Sequence, residues 1–159
     1  MTSSRLALAL AALSATMPLG ATAAAQVTAE QTVMREVVAV DATGREVVRL
    51  EAADQVTPGE KIAYLLRYRN EGANAAEALS LVMPVPAEVA LVGGSAAGEG
   101  EMAYSVDGGQ AWGALGALTV EEDGGRRPAT PADVTHIRWL VASLPQGGKG
   151  EVSYRAVLR

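Results

Sequence analysis

From Val33 to Leu158 the sequence runs as short apolar or alternating stretches cut by Gly, Pro, Asp and Asn, and this punctuation limits the fold more than any other feature. Strand side chains point to opposite faces with a period of two, so a half-buried strand reads as alternation. A helix needs apolar residues three and four apart over at least about ten residues, and no long stretch here has that spacing. Ile62, Tyr64, Leu66 and Tyr68 alternate with Ala63, Leu65, Arg67 and Arg69, which assigns the even positions to the core. Leu79, Leu81 and Met83 repeat the pattern until Pro84 and Pro86, which cannot donate to a central ladder. Met102, Tyr104 and Val106 form a third stripe, Ile137, Trp139 and Val141 a fourth, and Val152, Tyr154, Ala156 and Leu158 a fifth.

The connections have their own chemistry. Asp41-Ala42-Thr43-Gly44 joins the runs Val33 to Val40 and Arg45 to Leu50 as a hairpin, with an Asp to start the turn and a Gly free to take positive φ. Val56 to Glu60 carries a Pro-Gly turn, and Asn70 to Asn74 breaks the strand before it. Val92 to Gly100 and Glu121 to Asp133 read as loops, the second as a solvated or disordered acidic tip. The sum is an all-β, two-sheet sandwich of about seven or eight strands.

Residues 1–25 read as a secretory signal peptide: a basic start ending at Arg5, an apolar run from Leu6 to Leu13, a break at Pro18, and small residues Ala23-Ala24-Ala25 before Gln26. A membrane anchor needs about 20 apolar residues, longer than this run. Residues 26–159 then form a single domain with no membrane span after cleavage, exported to the periplasm, the cell surface or the medium. Removing the leader takes away one Arg and no acid, leaving 12 basic against 18 acidic residues. That balance disfavours nucleic acid. Cysteine is absent and His136 is the sole histidine, which excludes thiol catalysis, disulfide staples and the usual structural zinc sites.

The runs Val56-Thr57-Pro58-Gly59-Glu60-Lys61-Ile62, Tyr64 to Gly72 and Pro84-Val85-Pro86 present a Pro-Gly turn, a strand ending in Asn-x-Gly, and a strand leading to a proline-bearing loop. Tyr104 to Gly109, His136 to Trp139 and Glu151 to Leu158 continue the pattern. Together they resemble the bacterial conserved repeat domain, domain of unknown function eleven. The resemblance covers roughly residues 33–159 and implies an immunoglobulin-like sandwich on secreted or surface proteins, usually in tandem; this chain carries one copy. It brings no catalytic residues.

Ser105-x-Asp107-x-Gly109-x-x-Trp112 resembles the Asp-box turn of sialidase-like propellers, with Ala111 where Thr is usual. Its physics is local: Asp107 accepts turn N–H groups, Gly109 takes positive φ and Trp112 packs beneath. A single copy cannot build a propeller, so these three are assigned as a structural turn. His136 is expected on an exposed strand face with Val134 and Arg138, with no nucleophile to activate. Glu121-Glu122-Asp123 lacks the spacing of a calcium loop. No catalytic, cofactor-binding or metal-binding residue is assigned.

These readings lead to a non-enzymatic structural or protein-interaction module of the envelope. The closing run Glu151 to Leu158 is expected at a sheet edge, so a protein partner would add a strand there or on the opposite edge, with the acidic tip 121–133 as the rival contact. The alternative is a small-ligand or glycan-binding module in which Trp112 and the Val92 to Gly100 loop form an aromatic platform. The exposure of Trp112 discriminates the two.

Overall fold

A computed structural model describes residues 26–53, 55–122 and 124–159; the leader read over residues 1–25 and the acid Asp123 lie outside them. The fold is all-β, with antiparallel strands in every sheet. The described residues form ten strands: β1 (Val27–Val40), β2 (Glu46–Ala52), β3 (Lys61–Asn70), β4 (Ala76–Pro84), β5 (Val89–Leu91), β6 (Glu101–Ser105), β7 (Thr119–Glu122), β8 (Gly125–Pro128), β9 (His136–Leu144) and β10 (Lys149–Leu158). A five-stranded sheet runs β2-β1-β3-β10-β5 and a three-stranded sheet runs β4-β9-β6. The remaining pair, β7-β8, stands where an irregular loop was expected.

The alternation in the sequence becomes the core. Ile62, Tyr64 and Tyr68 of β3 and Val152, Tyr154 and Ala156 of β10 meet Leu81 and Met83 of β4 and Ile137, Trp139 and Val141 of β9 in one buried cluster. Tyr64 stacks on Tyr154 with ring centroids 4.8 Å apart and planes 14° from parallel, an offset geometry that adds to plain area burial. Two polar ties cross between the sheets. The Tyr154 hydroxyl donates to Pro84 O at 2.6 Å, and the fully buried Asn70 donates to Leu144 O at 2.9 Å and Asn74 O at 2.7 Å while accepting Gly72 N–H at 3.0 Å. The Asn-x-Gly at the end of β3 therefore fastens that strand to the end of β9.

Three expectations need correction. Met102 is exposed, because β6 stands at the rim of its sheet; Tyr104 is half-buried and packs against the core. Ala63 and Leu65 alternate outward yet are buried as well, in a concavity of about 330 Å³ shared with Leu50, Ser95, Ala97 and Arg155. Most consequential is the closing strand, which is not an edge. β3 flanks β10 on one side and β5 on the other, and beyond β5 the Gly/Ala/Ser stretch continues the cover. Val92 N–H donates to Arg155 O, Ala97 and Ser153 exchange two backbone bonds at 2.8 and 2.9 Å, and Ser95 Oγ bridges both backbone groups of Arg155. A small-residue segment that reads as a loop is thus spent on capping a sheet.

The opposite edge is β2. β3 pairs β1 over Val27 to Arg35, whereas β2 pairs β1 from Met34 to Val40. Beyond Arg35 the two strands continue as a ribbon of their own, an arm tipped by the Asp41 turn.

Candidate functional site

The Asp107 turn is a closed hydrogen-bond unit. Asp107 Oδ1 accepts from Ser105 Oγ at 2.7 Å and from the N–H groups of Gln110 and Ala111, both at 3.0 Å; Oδ2 also takes Ala111 N–H at 3.1 Å. The Ala111 N–H first, then the Ser105 hydroxyl, hold this carboxyl below its ordinary range. Gly109 sits at φ +89°, and its N–H donates to the buried Ser105 Oγ at 2.9 Å. The Gly108 N–H reaches Thr135 Oγ1 at 3.0 Å, and that hydroxyl donates to Ser105 O at 3.2 Å, which ties the turn to the chain entering β9. The sequence pattern includes Ser105 beside Asp107, Gly109 and Trp112, whereas Thr135, which ties the turn to β9, lies outside it.

Trp112 leaves this turn on the solvent side of the three-stranded sheet. Gly113 exchanges two backbone bonds with Tyr104, at 2.8 and 3.0 Å, so the segment extends the sheet beyond β6. The half-buried Trp112 ring is met by the Arg138 guanidinium 4.6 Å from its centroid and by the His136 ring edge-on at 6.5 Å. This is a cation–π contact on the face opposite Ile137 and Trp139. Arg138 was legible only as a neighbour of His136. His136 is half-buried and not exposed; its Nδ1 lies 3.2 Å from Thr135 Oγ1. Val134 does not share its face: it precedes β9 and is buried in the core. The platform expected from Trp112 with the Val92 to Gly100 loop is not assembled, since residues 92–97 line β10 of the other sheet.

The acidic tip is a hairpin in which each glutamate is paired with an arginine. Glu121 meets Arg126 at 3.2 Å, Glu122 meets Arg127 at 2.9 Å, and Arg127 also reaches Asp133. Among the described residues no three His, Asp or Glu side chains converge as a metal site, and no helix is long and apolar enough to cross a membrane. A separate concavity of about 650 Å³ lies where β1, β3 and β10 run together. In it Arg67 pairs with Glu151 at 2.8 Å, while Arg69 faces Lys149 across the ladder.

Among the described residues the arm carries the three most exposed large aliphatic side chains, Val38, Val40 and Val48, together with Leu50. Val38 is 68% exposed, Val40 64%, Val48 58% and Leu50 41%. The register places Val38 directly opposite Val48 and Leu50 opposite Glu36. By the period of two all four valine and leucine side chains share one face of the ribbon. At its base, Glu36 is held by Arg155 of β10 at 2.7 Å.

Compared with protein families, curated proteins and solved structures, the chain matches none.

Proposed function

We propose that this chain is an exported, non-catalytic β-sandwich module that works by adding a strand of another protein to the free edge of its β1-β2 arm. Export follows the leader read over residues 1–25, and an envelope role follows the resemblance of the turn motifs to the bacterial conserved repeat domain. The observation that carries the reading is the arm: a seven-residue edge strand with its solvent-side backbone open and four exposed aliphatic side chains beside it. Monomeric proteins normally blunt such an edge with proline, lysine, a bulge or a covering loop. β2 has no proline or lysine, its register to β1 is unbroken, and the charges it does carry, Glu46, Arg49 and Glu51, are of mixed sign. A two-stranded ribbon is marginal alone in water, so a third strand would stabilise it as well as bind it.

Cross-linking of cells that express the protein, followed by its recovery, tests the reading when run beside a Val48→Lys/Leu50→Lys variant. Products that form with the native arm and vanish in the folded variant are expected. Equal products from both place the contact elsewhere.

A second reading, glycan recognition, rests on Trp112, whose ring lies outside the core beside His136 and Arg138. One face of that ring already carries the Arg138 guanidinium, so a sugar would stack on the remaining face. Loss of glycan-array binding on Trp112→Ala, with arm variants unaffected, would favour it over strand addition.

A further inference from the structure

We infer that the strand added to β2 is β2 of a second copy of this chain, joined antiparallel about a two-fold axis through Leu50. The inference rests on the arm being the contact surface and names its occupant.

The backbone of β2 is phased for this. Asp41 N–H donates to Arg45 O at 2.8 Å, which makes that pair hydrogen-bonded. Bonded and non-bonded pairs alternate in an antiparallel ladder, so Ala39/Val47, Val37/Arg49 and Arg35/Glu51 are bonded. The N–H and C=O groups of Glu46, Val48, Leu50 and Ala52 therefore point away from β1. Among the described residues no backbone bond meets them.

Charge selects both the occupant and the register. With the axis at Leu50, that residue faces Leu50 of the second copy. Val48 faces Ala52, Arg49 faces Glu51 and Val47 faces Ala53, each twice by symmetry. Over residues 47–53 both charged pairs are of opposite sign, and every other pair is apolar on apolar. Moving the axis to Arg49 sets that guanidinium against itself and Val47 against Glu51. Moving it to Glu51 sets two carboxylates face to face, and moving it to Val48 puts Glu46 opposite Leu50. Facing like charges destabilise a ladder and facing opposite charges stabilise it. Among the described residues Arg49 makes no ion pair, whereas Glu51 is met at 3.0 Å by Arg35, so the incoming Arg49 finds a carboxylate already oriented.

The other edges of the two main sheets are less suited at β5, β4 and β6. β5 has three residues, β4 ends in Pro84 and carries Ala78 at φ +50°, and β6 is covered at Tyr104 by Gly113. Pairing through β2 would fuse the two five-stranded sheets into one continuous sheet, with Val48 and Leu50 of both copies in a shared aliphatic row.

Sedimentation equilibrium tests the pairing. A concentration-dependent dimer is expected for the native protein. Arg49→Glu and Glu51→Arg each turn two facing opposite-charge pairs into like-charge pairs and should weaken it about tenfold. Mixing the two variants restores opposite charges in a one-to-one heterodimer, an outcome that general misfolding cannot give. Leu50→Cys supplies a second measurement in a chain with no other cysteine: bonded antiparallel partners lie about 5.5 Å apart at Cα, within disulfide range. It should oxidise to a covalent dimer faster than the more exposed Val40→Cys. A monomer at every concentration, or variants that fail to recover on mixing, overturns self-pairing. If that monomer still forms arm-dependent cross-links to a different protein, only the identity of the occupant is wrong. If its cross-links ignore the arm, the strand-addition reading falls with it.

Discussion

The Arg127 guanidinium clasps the Asp133 carboxylate through two parallel hydrogen bonds, at 2.7 and 2.8 Å. Asp133 in turn accepts the Thr130 N–H and hydroxyl, capping a short 3-10 turn. This pair converts the stretch 121–133 from a loose tip into a fastened hairpin. Arg127→Lys keeps the charge but loses the fork. We expect faster amide exchange and faster proteolysis across residues 119–129 in that variant, with the sandwich strands unchanged. Unchanged exchange in the hairpin would show that its own ladder suffices.

Ser105 should matter as much as the Asp107 it serves. Its buried hydroxyl donates to Asp107 and accepts from Gly109 N–H. Ser105→Ala removes these two bonds and a longer one from Asp107 N–H at 3.4 Å, and we expect a loss of about 1 to 3 kcal/mol in chemical denaturation. Asp107→Ala should lower the same midpoint, and the double variant should cost less than the two losses added, because both act through one network. Strict additivity would mean the turn is not a unit.

Stability should fall at both ends of the pH range for different reasons. Asp133 is held below its ordinary value by the Arg127 fork first and by Thr130 next, and Asp41 is lowered chiefly by the Thr43 hydroxyl. Such carboxyls bind protons less readily folded than unfolded. Their contribution is whole above the ordinary 3.8 and is lost as pH falls through the lowered folded values. The four tyrosines shift the other way, each raised by burial. Their contribution is whole below 10.0 and is lost as pH rises above it. Phenolate absorbance should then appear together with loss of structure. Gradual ionisation near the ordinary value, with the fold intact, would contradict the burial of Tyr64 and Tyr154.

What the sequence reveals is what a strand decides locally. Alternation at Ile62 to Tyr68, Ile137 to Val141 and Val152 to Leu158 marks the core face, and Asp41-Ala-Thr-Gly marks its hairpin. Sheet order is settled by partners distant in the chain, so nothing in Glu151 to Leu158 tells that residues 92–97 cover it. The hairpin at 121–128 is missed because it shows no apolar alternation; its signal is two acids followed five residues later by two arginines. The Asp107 turn is readable as a motif, whereas Arg138 over Trp112 depends on which sheet face the next segment crosses.

Ala78 offers a test in which a substitution should help. It is the sole described non-glycine residue with positive φ, at +50°, near the start of β4. The left-handed region costs a Cβ-bearing residue roughly 1 kcal/mol that glycine escapes. Ala78→Gly should therefore leave stability unchanged or raise it slightly, while Gly100→Ala should lower it. An added Cβ there would come within 2.4 Å of Leu140 O in the adjoining strand. Equal losses from both would show that β4 is unstrained.

Asn70 supplies the sharpest test of how the two sheets are held together. Its side-chain N–H groups donate to Asn74 O and Leu144 O, and its backbone exchanges bonds with Gly147 and Gly148. Asn70→Asp preserves the shape, yet an ionised carboxylate would face two carbonyl oxygens in a fully buried position. The neutral acid keeps one O–H and restores one of the two bonds. The folded state thus raises the carboxyl's pKa, so the variant comes nearest to the native protein below the ordinary aspartate value. It falls behind as pH rises through the raised folded value. At neutral pH we expect a loss of at least about 2 kcal/mol in urea denaturation, shrinking on mild acidification while the native protein holds steady. A deficit independent of pH would mean that the carboxylate escapes to water and that the tie between β3 and β9 is not made by this side chain.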